Sequence, residues 1–261
     1  MISRVIDMWG WRTAYFINGA VSLALLLPAT LLLIRYHPSD MGLTAYGTEQ
    51  KSVPATSISH RNEAHHADEK SSIPMLILCS ICVAIPAGFI SFFNAFGLSI
   101  GMSISDAALL ASLSMLGNSL GKLFVGEMND HLGTRIPTLF AYSFSIAGAA
   151  GLLLTGVPLI YLAAPMFGFS MPLYTTLMPL ITRAVVGKDS FSNVFPTVAM
   201  VMTFTVAIMT TVHGWLFDQT GSYTASLLIS IFTLAIGMIV SALLLRKKST
   251  RCNAVLLDKT A

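Results

Sequence analysis

Seven separate stretches of the chain are each apolar enough, over about 20 residues, to cross the roughly 30 Å hydrocarbon core of a bilayer. They run from Thr13 to Ile34, Met75 to Leu98, Asp106 to Gly126, Ile136 to Gly156, Leu159 to Arg183, Phe191 to Phe217 and Thr224 to Leu245. Backbone polar groups in lipid must be satisfied within their own segment, so such a chain is restricted to an all-α, polytopic membrane fold. Composition agrees. Only 10% of residues are charged and the mean hydropathy is +0.74, whereas a soluble surface needs about a quarter charged residues. The first stretch is longer than a signal-peptide core and ends in "IRYHPSDMG" rather than a cleavage site, so it reads as a true span.

Lys and Arg set the orientation. If the first span runs from outside to inside, every one of the 15 basic residues except Arg4 and Arg12 falls on the inner side. The N-terminus is then outside and the C-terminus in the cytoplasm of the cell inner (plasma) membrane, with 246–261 a basic tail. Residues 35–74 are polar, mixed in charge and without apolar periodicity, and are expected to form a disordered cytoplasmic linker. His60, His65 and His66 lie in it without a folded frame, and no metal site is expected. Cys79 and Cys82, one turn apart in "LILCSICVAI", read as packing residues.

The linker leaves one span before it and a bundle of six, 75–245, after it. Divided into threes, the six carry matching interruptions in the first helix of each triplet: "VAIPAGFISFFNAFG" and "APMFGFSMPLYTTLMP". Paired Gly/Pro breaks of this kind occur in inverted three-helix repeats lining a midplane substrate path; the alternative is that proline simply kinks membrane helices. Polar groups at that depth are functional candidates by default. They are Asn94, Asn118, Tyr174 and Thr175, with Lys122 either meeting an anion or snorkelling to the headgroups. His213, near the outer surface, reads as an interfacial packing histidine, with a proton role as the alternative.

No G-x-S-x-G elbow, H-E-x-x-H, phosphate-binding loop or intramembrane carboxylate pair is present, so the chain is not expected to be an enzyme and no cofactor is implied. No basic patch interleaved with aromatics supports nucleic-acid binding. Any transport is driven by gradients.

Between the third and fourth stretches lies "GEMNDHLGTR". Its G-x-x-x-D-x-x-G-x-R pattern, Gly126, Asp130, Gly133 and Arg135, resembles the cytoplasmic loop signature of the major facilitator superfamily, as it recurs between helices eight and nine of twelve. The resemblance implies a charged gating latch at the cytoplasmic face, with His131 where the family usually has a basic residue. Gly10, Trp11 and Arg12 resemble the family's G-W-R at the mouth of helix six; "RYHPSDMGLTAYG" resembles the segment after that helix; "GWLFDQTGSYTAS" resembles the outer turn between helices eleven and twelve.

These motifs are similar to those of the oxalate/formate- and monocarboxylate-transporter-like branch. They imply secondary active transport by alternating access of a small solute, an organic anion such as a monocarboxylate or dicarboxylate, with or without a coupling ion. That branch often holds a basic residue in helix eight or eleven facing the anion; here "SMLGNSLGKLF" has neutral Asn118 centrally and Lys122 nearer the cytoplasm. By the same alignment the chain supplies helix six and the C-terminal six-helix bundle but not helices one to five. Met1 is compatible with a true start, an internal start in a longer frame or the edge of a fragment. The alternative is therefore a truncated half that needs a separate N-terminal half or is nonfunctional alone. A seven-helix receptor is the remote alternative: the longest loop follows the first helix, no outer cysteine pair exists and the last span has no lysine.

Overall fold

The structure, a computed structural model, describes residues 2–33, 59–154 and 157–258, in two units, 1–58 and 59–261. Among the described residues it is helical, without strands. The first unit contains α1 (Ile2–Leu33), which overlaps the expected first span from Thr13 to Leu33; Ile34 lies outside the described residues. Its helix is broken at Gly10, whose φ of 78° and ψ of 160° only glycine adopts readily. Immediately after the break, the Arg12 guanidinium lies over the Trp11 ring, 5.2 Å from its centroid.

The second unit contains α2 (Ser59–Phe89), a 3-10 turn (Ile90–Phe92), α3 (Phe93–Ser99), α4 (Ile104–Leu132), α5 (Arg135–Leu153), α6 (Val157–Gly168), a single turn α7 (Ser170–Pro172), a π-helical turn (Leu173–Leu177), α8 (Met178–Thr220) and α9 (Thr224–Asp258). Five segments among the described residues are continuous and apolar enough to cross a membrane: Ser72–Ser99, Ile104–Leu132, Arg135–Leu153, Ser190–Thr220 and Thr224–Arg246. The stretch expected from Leu159 to Arg183 is helical but divided by α7 and the π turn. Within α8, Gly187 (φ 86°, ψ 177°) separates the end of that stretch from the span that follows.

The linker expected over 35–74 differs from the structure at its end. Helix begins at Ser59, and the remainder, 35–58, lies outside the described residues. "SHRNEAHHADEK" lacks Gly and Pro and contains Glu, Ala and Lys, good helix formers. Polar composition hid this: a segment joined to a stable membrane helix propagates without a new nucleation cost. The basic tail is likewise helical as far as Asp258.

Packing follows small residues. A lipid-immersed bundle gains little from the hydrophobic effect between helices, so close backbone approach at Gly and Ala carries the association. The interrupted segment α6–α7 is wedged between α4 and α5. On one side a methyl at Gly117 would strike the Pro165 carbonyl oxygen, and one at Gly121 would lie 2.7 Å from Pro172 Cγ. On the other, a methyl at Gly148 would strike the Phe167 backbone, and one at Gly151 would lie 2.8 Å from Ala163 Cβ. Gly168 returns the contact against the Ser114 carbonyl.

Two buried clusters fill the bundle. One, at the end expected to face the cytoplasm, includes Leu76, Tyr142, Leu177 and Ile181. There Cys79 Sγ lies 3.0 Å from Ser241 Oγ and 3.5 Å from Tyr142 Oη, and Ser241 donates to the Gly237 carbonyl, joining α2, α5 and α9 through buried polar contacts. The other cluster is aromatic, with Phe89, Phe93, Phe96, Phe167 and Tyr223.

Candidate functional site

Two helices carry the paired proline and glycine interruptions, and both leave α-helical geometry. In the first, Pro86 and Gly88 precede the 3-10 turn Ile90–Phe92. In the second, Pro165, Gly168 and Pro172 precede the π turn Leu173–Leu177. Proline removes a helical N–H and crowds the preceding turn, so a tightened or widened turn nearby is its physical consequence. π turns free backbone groups and recur at functional sites.

Asn118 lies where α4 crosses the second interruption: a methyl at Gly168 would come within 3.1 Å of its backbone nitrogen. Its Oδ1 is buried and has no hydrogen-bond partner among the described residues. A buried acceptor left unpaired costs free energy. Tyr174 and Thr175 sit in the π turn. Tyr174 is half-buried against the Tyr142 cluster, and Thr175, exposed, donates from Oγ1 to the Met171 carbonyl at 2.9 Å. Asn94 is exposed on α3 just past the 3-10 turn, and Lys122 is exposed on α4 one turn after Asn118. A cavity of about 80 Å³ beside Phe96, Ser99, Leu152 and Tyr223 contains none of these five residues. They occupy the faces and breaks of the helices rather than one enclosed pocket.

The turn Gly126–Arg135 has a different internal logic from the one its charges imply. Asn129, not Asp130, ties it: the Asn129 carbonyl accepts from Gly133 N at 3.1 Å, and its Oδ1 accepts from Thr134 Oγ1 at 3.0 Å. His131 Nε2 meets Glu127 Oε1 at 2.8 Å, with both side chains exposed. Asp130 and Arg135 are exposed and not paired with each other. Asp130 sits in the last turn of α4 and Arg135 opens α5, so each charge occupies the helix end whose dipole disfavours it. Neither is placed to stabilise this bundle. Gly126 has open space around it, and Gly133 ends α4 with φ 71° and ψ 172°. That region is essentially restricted to glycine. Gly133→Ala is therefore expected to cost about 1–3 kcal/mol, seen as a lower melting temperature in detergent, whereas a side chain at an ordinary φ would cost little.

Sequence reasoning missed Asn129, whose only signal was an Asx residue four positions before a glycine. His213 is a packing residue, as its sequence suggested, and its ring is fully buried against Phe89 and Phe92, with centroids 5.6 Å and 6.4 Å away. Gly88 lets α8 approach α2 that closely: a methyl there would lie 3.4 Å from Thr210 N.

The family model of the Major Facilitator Superfamily matches residues 2–195 and 76–254. Monocarboxylate transporter 12 of Rattus norvegicus is 26% identical over 281 residues, covering 94% of this chain and 54% of that protein. Monocarboxylate transporter 12 of Homo sapiens is 30% identical over 156 residues, covering 58% of this chain and 29% of that protein. Among solved structures, the Major Facilitator Superfamily transporter FucP in the outward conformation superposes with a TM-score of 0.57 at 19% identity, over 90% of this chain and 55% of that one. The chain spans about half the length of the first relatives it matches.

Proposed function

Because the chain belongs to the Major Facilitator Superfamily, a family of membrane transporters and not of enzymes, we propose that it forms helix six and the C-terminal bundle of a secondary transporter for a small organic anion, of which a monocarboxylate is the first choice. The observation that carries this is the crossing of α4 with the interrupted segment, where Asn118 Oδ1 is buried without a partner beside a π turn. An amide there offers a solute one polar contact in an otherwise apolar wall, the usual composition of a small-molecule path. In this reading Tyr174 and Thr175 of the π turn, with Asn94 and Lys122, are the further polar side chains offered to the solute. The similarity to monocarboxylate transporters over 94% of the chain supports the substrate class.

In this reading the bundle lies in the plasma membrane with its C-terminus in the cytoplasm. Gly126, Asp130, Gly133 and Arg135 form a cytoplasmic latch whose two charges engage a facing bundle in one access state. A separate N-terminal half is the partner that would complete the path. Its need is supported by the span Ser190–Thr220, where only 11% of the most apolar window is buried.

The test is uptake of a radiolabelled short-chain monocarboxylate into proteoliposomes, by this chain alone and after co-expression with an N-terminal bundle from a relative. Uptake by the chain alone would make it a self-sufficient transporter, and uptake only with the partner would establish a half-transporter. Uptake in neither case, with correctly inserted protein, would defeat the proposal. In whichever assembly transports, Asp130→Asn should slow uptake at least about tenfold, the loss expected when a charge-assisted contact of 1.5–3 kcal/mol is made in only one access state. Equal rates at equal membrane abundance would remove the latch.

A further inference from the structure

His213 carries a chemistry that the transport reading leaves unused. Its ring is fully buried at the contact between α8 and the interrupted helix α2. Nε2 lies 3.2 Å from the Ile85 carbonyl oxygen, and a carbonyl only accepts, so the proton of the neutral ring resides on Nε2. Nδ1 is consequently a lone-pair acceptor, and it is buried with no partner among the described residues. Histidine is the side chain whose charge changes most readily near neutral pH.

Among the described residues, no group lies within hydrogen-bond reach of Nδ1 to receive a second ring proton. From α2 through the 3-10 turn to the end of α3, residues 72–99 include no charged side chain, and the nearest titratable group is Cys82, about one turn before Ile85. From α6 the wall is Phe167, in contact with Phe89, and that helix contributes Tyr161 as its titratable side chain. The turn before α9 contributes Tyr223, packed on Phe89 and Phe92, and α9 has no charged residue from 224 to 245. On α8 the nearest charge is Asp218, five residues on and exposed. The contact is also next to the 3-10 turn Ile90–Phe92, where α2 is already distorted.

We propose that His213 Nδ1 is a proton-binding site whose occupancy releases α8 from α2. A proton taken from water converts the ring to imidazolium. The Nδ1–H then has no acceptor while the helices are packed, so the protonated chain favours an arrangement in which they part and water reaches the ring. Linkage makes the relation reciprocal: whatever parts α8 from α2 also promotes proton uptake. The site does not depend on the identity of any transported solute.

The test uses the full chain in lipid nanodiscs, with Cys252 replaced by Ser and one cysteine introduced in each of two variants. Gly214→Cys places a thiol under Phe92, where a Cβ has ordinary contacts of 3.7 Å. Thr211→Cys places one on the exposed face of the same helix. The ratio of their maleimide labelling rates cancels the reagent's own pH dependence. That ratio should rise on the order of fivefold or more from pH 8 to pH 5.5, the size of an ordinary coupling between two sites. His213→Gln, which still donates to Ile85 but does not titrate, should abolish the rise, and Asp218→Asn should retain it. A flat ratio in the parent, an unchanged rise in His213→Gln or its loss in Asp218→Asn would overturn the proposal. If His213→Gln does not remain monodisperse, ring nitrogen NMR of a chain stripped of its other histidines decides. A titration across the same pH range that tracks the labelling ratio supports the site, and its absence overturns it.

Discussion

Gly117→Ala should collapse the bundle, even though alanine is the better helix former by about 1 kcal/mol. The added methyl meets the Pro165 carbonyl oxygen, a backbone atom that cannot rotate aside. Relief requires moving α6 away from α4, which also breaks the Gly121 contact with Pro172 and the Gly168 contact with Ser114. Overpacking of this kind costs about 1–3 kcal/mol and more where backbone is involved, so the expected result is loss of the monodisperse species and a strongly lowered melting temperature in detergent. Gly126→Ala, on the same helix with open space at its Cβ, should leave the melting temperature equal or slightly raised. Equal behaviour of the two variants would mean that α4 and α6 do not pack at the separation described.

The second large effect separates a ligand contact from a structural one. Asn118→Leu removes an oxygen that bonds to nothing in the described structure. Stability should therefore be unchanged or increased, because an unsatisfied buried acceptor is replaced by an apolar group. Transport in the competent assembly should lose a neutral hydrogen bond to the solute, about 1 kcal/mol, or a fivefold to tenfold rise in apparent KM. A drop in melting temperature with unchanged uptake would make Asn118 a helix-packing residue instead.

These residues also show what could be read before any coordinates. The spans were legible because crossing a bilayer forces about 20 apolar residues into register with its thickness, a demand that few other contexts impose. Gly133 was legible because a tight turn needs a backbone state that other residues avoid, and its φ of 71° is that state. The paired breaks were legible as proline and glycine clusters, although a 3-10 turn in one helix and a π turn in the other were not. That choice depends on which neighbour presses on the freed turn. The partners of Gly117 and Gly148 were invisible for the same reason: a glycine marks a possible close approach and says nothing of what approaches. His213 was legible as a packing residue, but its partners were not: Phe89 and Phe92 come from a segment about 120 residues earlier.

The glycine contacts have a mechanical consequence. Where backbone rests on backbone, no side-chain rotamer is available to absorb a displacement, and a densely packed contact has little compressibility. Three of the bundle's elements, α4, α6 and α5, meet in this way on both sides of the interrupted segment. They form a stiff plate. The contact of α8 with α2 and the 3-10 turn after it, by comparison, includes the half-buried ring of Phe92 and ordinary van der Waals spacings at Gly88 and Gly214. Strain applied to the bundle therefore concentrates at that softer seam, while the plate carries force across the membrane as a single lever whose ends move together.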